Sequence, residues 1–212
     1  MKHEEREVRQ IYNDYGDDLY RLCYFYTGNV HDAMDAVQNT LVHLMEYTGT
    51  FESESHKKSW LLKVGVNECR QLHRQWWRRK VTADESLIDM EKVGVQTSDV
   101  WESVMSLPTK YRTAIYLYYY VGYSTEEIAK IMEKQSSTVR SLLSGNADNL
   151  DFLCSDVADT DDTAIKAKKH QKQFNKQKGR CSMKQDDYRN MCDEIKLSEE
   201  QKDKIWVAAR AK

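Results

Sequence analysis

The chain has 212 residues, 40% of them hydrophobic, with a formal net charge of -2, so it can bury a core of its own but has no overall attraction to nucleic acid. No apolar run approaches the roughly 18 residues that a membrane-spanning helix needs, and the opening MKHEEREVRQ is too charged for a signal peptide, which predicts a cytoplasmic protein with no membrane insertion. A single proline and eight glycines are too few turn formers for an all-β chain of this length, so the expected fold is all-α.

The first predicted helix carries Val8, Ile11, Tyr12, Tyr15, Leu19, Leu22 and Tyr26 at three- and four-residue steps, and Gly28-Asn29 ends it. Asn29 can cap a second helix with the apolar stripe Ala33, Ala36, Val37, Thr40, Leu41 and Leu44, which leaves Asp35, Gln38 and Asn39 on a polar face open to a partner. After Thr48-Gly49-Thr50, Ser53 or Ser55 can cap a third helix whose inward stripe is Leu62, Val66, Cys69, Leu72 and Trp76, running to about Lys80.

Residues 81–97 lose the periodicity and read as a linker. Val100, Trp101, Val104 and Leu107 open a second unit, and Pro108 stands where a helix carrying Tyr111, Ala114, Ile115, Tyr118 and Tyr119 can start. Gly122 closes that helix. Ser124 and Glu127 have capping-box spacing ahead of Ile128, Ala129, Ile131 and Met132, and the turn Glu133 to Ser136 leads to a further helix from Ser137. Past Leu150 an acidic stretch gives way to a basic one, as in a solvated, flexible tail, and a last amphipathic segment (Tyr188, Met191, Ile195, Ile205, Trp206) can form one or two short helices that need a partner surface. The expected architecture is two small helical domains, 1–80 and 98–150, joined by the linker 81–97, with a helix-turn-helix in the second and the tail at 151–212.

The five cysteines are scattered and never form a Cys-x-x-Cys pair. Cys69 and His73 stand one turn apart, yet no second pair completes a tetrahedral site, so no metal is expected. With no Gly-rich phosphate loop and no nucleophile arrangement, the sequence gives no catalytic residue and no cofactor, and an enzyme is the least favoured class.

Binding chemistry concentrates in two places. Between Lys57 and Lys80, the cations Lys57, Lys58, Lys63, Arg70, Arg74, Arg78, Arg79 and Lys80 face one acid, Glu68, and Trp60, Trp76 and Trp77 are interleaved with them. Cations at helical spacing track phosphates and exposed indoles stack on unpaired bases, which suits DNA whose strands are being separated; a solvated basic face over core tryptophans is the plainer reading, and for Trp60 alone the favoured one. In the helix-turn-helix of Ser124 to Leu143, the second helix would present Ser137, Thr138 and Arg140 to a major groove.

Read in order, these pieces resemble the extracytoplasmic-function sigma factors of bacterial RNA polymerase, in the sigma-70 family. Asp32-Ala33-Met34-Asp35-Ala36-Val37-Gln38-Asn39-Thr40-Leu41 looks like the family's core-polymerase-binding helix, and the resemblance implies that Asp32, Asp35, Gln38 and Asn39 meet the polymerase. Ser59-Trp60-Leu61-Leu62-Lys63-Val64-Gly65-Val66-Asn67, followed by Arg70 and Arg74, is similar to the promoter-melting and downstream-element helix, where Asn67 joins Lys57, Lys58, Trp60, Lys63, Arg70, Arg74, Trp77, Arg78 and Arg79 as DNA-binding residues. Leu107 to Arg112, Tyr123 to Ala129 and Thr138 to Leu143 resemble the second domain, which reads the upstream element. The resemblance covers about residues 5 to 144. It implies a sigma region 2-like domain at 1–80, a region 4-like domain at 98–150, and three partners: the RNA polymerase core, promoter DNA and an anti-sigma factor.

After Leu143 the family continues with a basic helix, whereas this chain reads Ser144-Gly145-Asn146-Ala147-Asp148-Asn149, in which Gly145 weakens the helix and Asp148 repels phosphates. Two explanations stand side by side: a reading frame shifted near Ser144, or a native tail that folds back on the basic segment or docks on a regulator. The stretch from Met183 to Trp206 faintly resembles the opening of a separate cytoplasmic regulator. The alternative function is a helical adaptor that binds a protein partner and never engages promoter DNA.

Overall fold

A computed structural model describes residues 5–82, 104–144 and 185–212, with the side chains of 76–82 and 185–187 outside the description. The linker 81–97 and the charged run from Asp148 to Arg180 fall largely or wholly outside these residues.

The first helix, α1 (Glu5–Thr27), begins with Glu5 and Glu7, whose carboxylates suit the positive end of the helix dipole. Its stripe is broader than periodicity predicts. Tyr15 and Tyr26 are half-buried, while every residue from Leu19 to Phe25 is buried, because α1 packs against both α2 and α3. Thr27 Oγ1 donates to the Cys23 carbonyl (2.9 Å), and Gly28, at φ 73°, lets the chain leave in the left-handed region. Asn29 then caps α2 (Val30–Glu46) by accepting from the Asp32 N–H at 3.0 Å. The buried residues of α2 are Ala33, Ala36, Val37, Thr40, Leu41 and Leu44, the stripe read from the sequence, and the Thr40 hydroxyl is satisfied by the Ala36 carbonyl at 2.8 Å.

Of the two serines able to start α3 (Glu54–Thr82), Ser53 does so: its Oγ accepts from the His56 N–H at 3.1 Å. Leu61, Leu62, Val66 and Cys69 turn inward. At Gly65 a Cβ would lie 2.5 Å from Leu19 Cδ1, so a larger residue there would oblige the Leu19 side chain to shift within the core.

In the second unit, Val104 and Leu107 are buried ahead of Pro108, which precedes α4 (Thr109–Ile115). A π-helical turn, Tyr116–Tyr120, continues α4, and its wider winding puts Tyr116, Leu117 and Tyr119 all in the core, with Gly122 at φ 83° ending it. Ser124 and Glu127 form the expected capping box at the start of α5 (Thr125–Met132), with mutual contacts of 2.9 Å and 3.3 Å. Glu133 turns the corner in the left-handed region at φ 51°, and α6 (Ser136–Ser144) follows with Val139, Leu142 and Leu143 buried. This is a helix-turn-helix.

Two further helices lie near the other end of the chain. On α7 (Gln185–Glu194), Tyr188, Met191 and Cys192 are buried against the π turn, and the Tyr120 hydroxyl donates to the Asp193 carboxylate. Ser198 and Gln201 form a capping box for α8 (Glu199–Arg210), which packs on α2 and buries Ile205, Trp206 and Ala209. The chain groups into two compact units, one built from α1, α2, α3 and α8, the other from α4, most of α5, α6 and α7. All the elements among the described residues are helical.

Burial holds several phenols neutral. Desolvation is the largest cause of the raised values of Tyr12, Tyr20 and Tyr188; for Tyr20 the value rises from 10.0 to about 12. A group whose folded value lies above its unfolded one supports the fold fully below the unfolded value and loses that support as pH rises through the folded one. Thermal melts are therefore expected to hold up to about pH 10 and to fall steeply between about 10 and 12. An unchanged melting temperature at pH 11 would contradict this.

Candidate nucleic-acid interface

α3 is the element that gathers the predicted contacts. Positions 63, 67, 70 and 74 recur at steps of four, three and four, so Lys63, Asn67, Arg70 and Arg74 form one row along about 16 Å of helix. Lys63 and Arg74 are exposed, Asn67 and Arg70 half-buried. Arg70 Nη1 donates to Asn67 Oδ1 at 3.0 Å, which fixes which end of the amide faces the guanidinium. The Tyr26 phenol also senses this row: burial raises it, and the charges of Arg70 and Arg74 pull the other way.

Glu68 is the single acid between Lys57 and Lys80, and it points away from that row. Its side chain is buried, and Oε1 meets His43 Nε2 of α2 at 3.1 Å. The carboxylate therefore serves the packing of α3 on α2 and does not neutralise the row.

The start of α3 is different. Lys57 pairs with Glu54 at 2.6 Å, and Lys58 pairs with Asp18 of α1, also at 2.6 Å. Glu54 accepts from the Tyr15 hydroxyl too, and the hydrogen bond from Lys57, then that from Tyr15, hold its carboxyl below the usual range. Glu54 stands in solvent, so its hold on Lys57 is weak and a phosphate could displace it, whereas Asp18 is more covered and also pairs with Arg21.

Trp60 is half-buried. Its ring lies 4.7 Å from Tyr47 and 5.6 Å from Phe51, and those two stack at 5.1 Å. Sequence periodicity did not single out Tyr47 and Phe51, because they sit outside the helices; their position on either side of Gly49, within reach of a tryptophan in the second turn of α3, was the available signal. Trp77, Arg78 and Arg79 fall on the last turns of α3, outside the described side chains.

On α6, Ser137, Thr138 and Arg140 are all exposed, opposite the buried Val139, Leu142 and Leu143. Arg140 Nη1 stands 3.5 Å from Glu126 Oε1, with both groups open to solvent. On α2, Asp32 and Asp35 are exposed, Gln38 and Asn39 half-buried, and Asn39 Oδ1 accepts from Lys212 Nζ at 2.7 Å. The Cys69 thiol lies in the core beside Cys23, and burial drives it well above its ordinary value. Among the described residues no group of three His, Cys, Asp or Glu is placed to hold a metal ion, and no helix is long and apolar enough to cross a membrane.

The model of sigma-70 region 2 matches residues 11–79, which span most of α1 and reach into the last turns of α3. That of sigma-70 region 4 matches residues 98–144, ending with α6. The Bacillus subtilis RNA polymerase sigma factor SigV is 29% identical over 133 residues, covering 61% of this chain and 80% of its own length. The extracytoplasmic-function (ECF) RNA polymerase sigma factor SigW of the same organism is 26% identical over 157 residues, covering 66% and 84%. Among solved structures, the sigma factor RpoE of Bartonella quintana, crystallised with the anti-sigma factor NepR, shares the fold with a TM-score of 0.57 at 21% identity, covering 74% of this chain and 99% of that one. With two family regions matched in order over more than half of its residues, and with curated ECF relatives, this chain belongs to the sigma-70 family as an extracytoplasmic-function sigma factor.

Proposed function

We propose that this sigma factor, which directs RNA polymerase to promoters to initiate transcription, holds opened promoter DNA along the row Lys63, Asn67, Arg70 and Arg74. The observation that carries this reading is the row itself: three cations and an amide on one side of a single helix, with the segment's lone carboxylate turned into the core. Lys57 and Lys58 would join once phosphate displaced their carboxylates. Trp60, braced by Tyr47 and Phe51, would offer the exposed part of its ring to an unpaired base, and Trp77, Arg78 and Arg79 would extend the track. Ser137, Thr138 and Arg140 would read the upstream element in a major groove.

In the same reading, Asp32, Asp35, Gln38 and Asn39 meet the polymerase core, with residues 1–80 acting as the region 2 domain, 98–150 as the region 4 domain and 81–97 as their linker. An anti-sigma factor is the third partner; the Bartonella relative was solved with one bound. The chain acts in the cytoplasm and makes or breaks no covalent bond itself: it positions the polymerase and captures DNA by phosphate and base contacts. Matches to both regions disfavour the adaptor alternative.

The test is a polymerase-binding assay followed by transcription from a promoter library. Binding together with transcription from a defined promoter class is the expected result. Binding with no transcript from any promoter would return the adaptor reading to the front.

A further inference from the structure

The helix α8 occupies a surface that the proposed function assigns to a partner. Trp206 is 8% exposed and stacks on Tyr12 of α1 at 6.4 Å with 10° between the rings. The Arg9 guanidinium lies 5.0 Å over the Trp206 ring while its Nη2 meets Asp203 Oδ1 at 2.9 Å, so one arginine combines a cation–π contact with an ion pair. Around this centre the charges match in both directions: Lys202 lies 3.5 Å from Asp17, and Arg210 lies 3.0 Å from Glu5. The Tyr12 hydroxyl donates to the Lys202 carbonyl at 3.4 Å. The same helix reaches α2, where Gln201 Nε2 approaches Met34 Sδ at 3.9 Å and, past its end, Lys212 Nζ holds Asn39 Oδ1.

This is a built interface. A solvated tail would leave Trp206 and Ile205 in water, whereas here both are buried, and Arg9, Asp17 and Glu5 of α1 each meet an opposite charge on α8. Met34 and Asn39 belong to the run Asp32 to Leu41, so the interface edge falls on the proposed polymerase-binding residues.

We propose that the segment Ile195–Lys212 is a cover in cis for the α1–α2 face, and that it must leave before core polymerase can engage Asn39 and its neighbours. The inference rests on the reading of α2 as the polymerase-binding helix. A chain that is mostly closed binds its partner more weakly by the fraction of open molecules, so an opening substitution raises apparent affinity without adding a contact.

The full chain carrying Asp203→Arg with Trp206→Ala loses the stack and sets two arginines against each other. Titrated against labelled core polymerase, it should bind about tenfold more tightly than the unaltered chain, as expected where about nine molecules in ten are closed. The charge exchange Arg9→Asp with Asp203→Arg should bind more weakly than Arg9→Asp alone, because the pair is rebuilt. Core binding no tighter than that of the unaltered chain, with helicity by circular dichroism intact, overturns the cover. If helicity falls, Lys212→Ala in the otherwise unaltered chain decides: tighter binding supports the cover, equal or weaker binding overturns it. If no chain binds core at all, the reading of α2 fails and competition with polymerase fails with it. Amide exchange then reports on the interface alone: faster exchange over 199–210 and 5–27 in the double variant upholds a docked α8, and unchanged exchange refutes it.

Discussion

Replacing Lys63 and Arg74 with alanine is expected to weaken promoter binding by the holoenzyme and to flatten its salt dependence, while leaving the affinity for core polymerase as it was. Each phosphate neutralised contributes about 0.9 to the slope of log K against log salt on duplex DNA and about 0.7 on a single strand, so losing two contacts lowers the slope by roughly 1.4 to 1.8. Both side chains are exposed, so their removal should cost the fold within about 0.5 kcal/mol. Arg70 is a poorer probe, because it also binds Asn67, and its loss would mix DNA contact with local geometry. Promoter binding measured from low to moderate salt checks the prediction, and an unchanged slope would remove the row from the DNA interface.

The second large effect is on stability, one residue away. Leu62→Ala should destabilise the first unit by about 2–5 kcal/mol, the cost of a cavity in a packed core. Leu62 is 1% exposed, on the side of α3 that packs against α1 and α2. Against a total stability on the order of 5–15 kcal/mol this is a large share, and urea unfolding should show a clearly lower midpoint with a similar slope. Lys63→Ala beside it should barely move the midpoint. If the two substitutions had similar effects, the assignment of inner and outer faces of α3 would be wrong.

The helices that pack by one face were readable in advance. The buried positions of α2 coincide with its apolar periodicity, and the capping box of α5 and the serine cap of α3 follow from short-range spacing that needs no tertiary knowledge. α1 was readable only in part. Tyr20, Arg21, Tyr24 and Phe25 fall outside a single stripe, and they are buried because neighbours arrive from more than one direction, a fact that a helical wheel does not contain. The five-residue π turn was missed for a related reason: Tyr116 to Tyr120 is an aromatic run with no turn former, and its wider winding answers to packing, not to local propensity.

In the candidate site, the cationic row on α3 was visible because it lies within one segment. What the sequence hid were partners from elsewhere in the chain: Asp18 for Lys58, His43 for Glu68, Tyr47 and Phe51 for Trp60. Amphipathicity announced that α7 and α8 needed a surface. It could not say which, and α8 lies on the α1–α2 face, whereas the native-tail reading offered the basic segment or an outside regulator.

α3 runs unbroken from Glu54 to Thr82. Its row of side chains is therefore a ruler with a fixed step: about 16 Å from Lys63 to Arg74 corresponds to roughly five stacked nucleotides at about 3.4 Å per nucleotide. Inserting or deleting one residue near Asn67 would turn Arg70 and Arg74 by about 100° about the helix axis and leave no loop to absorb the change. If the strand is held as proposed, its length is set by helical pitch, and promoters would tolerate changes of base identity there far more readily than changes of spacing.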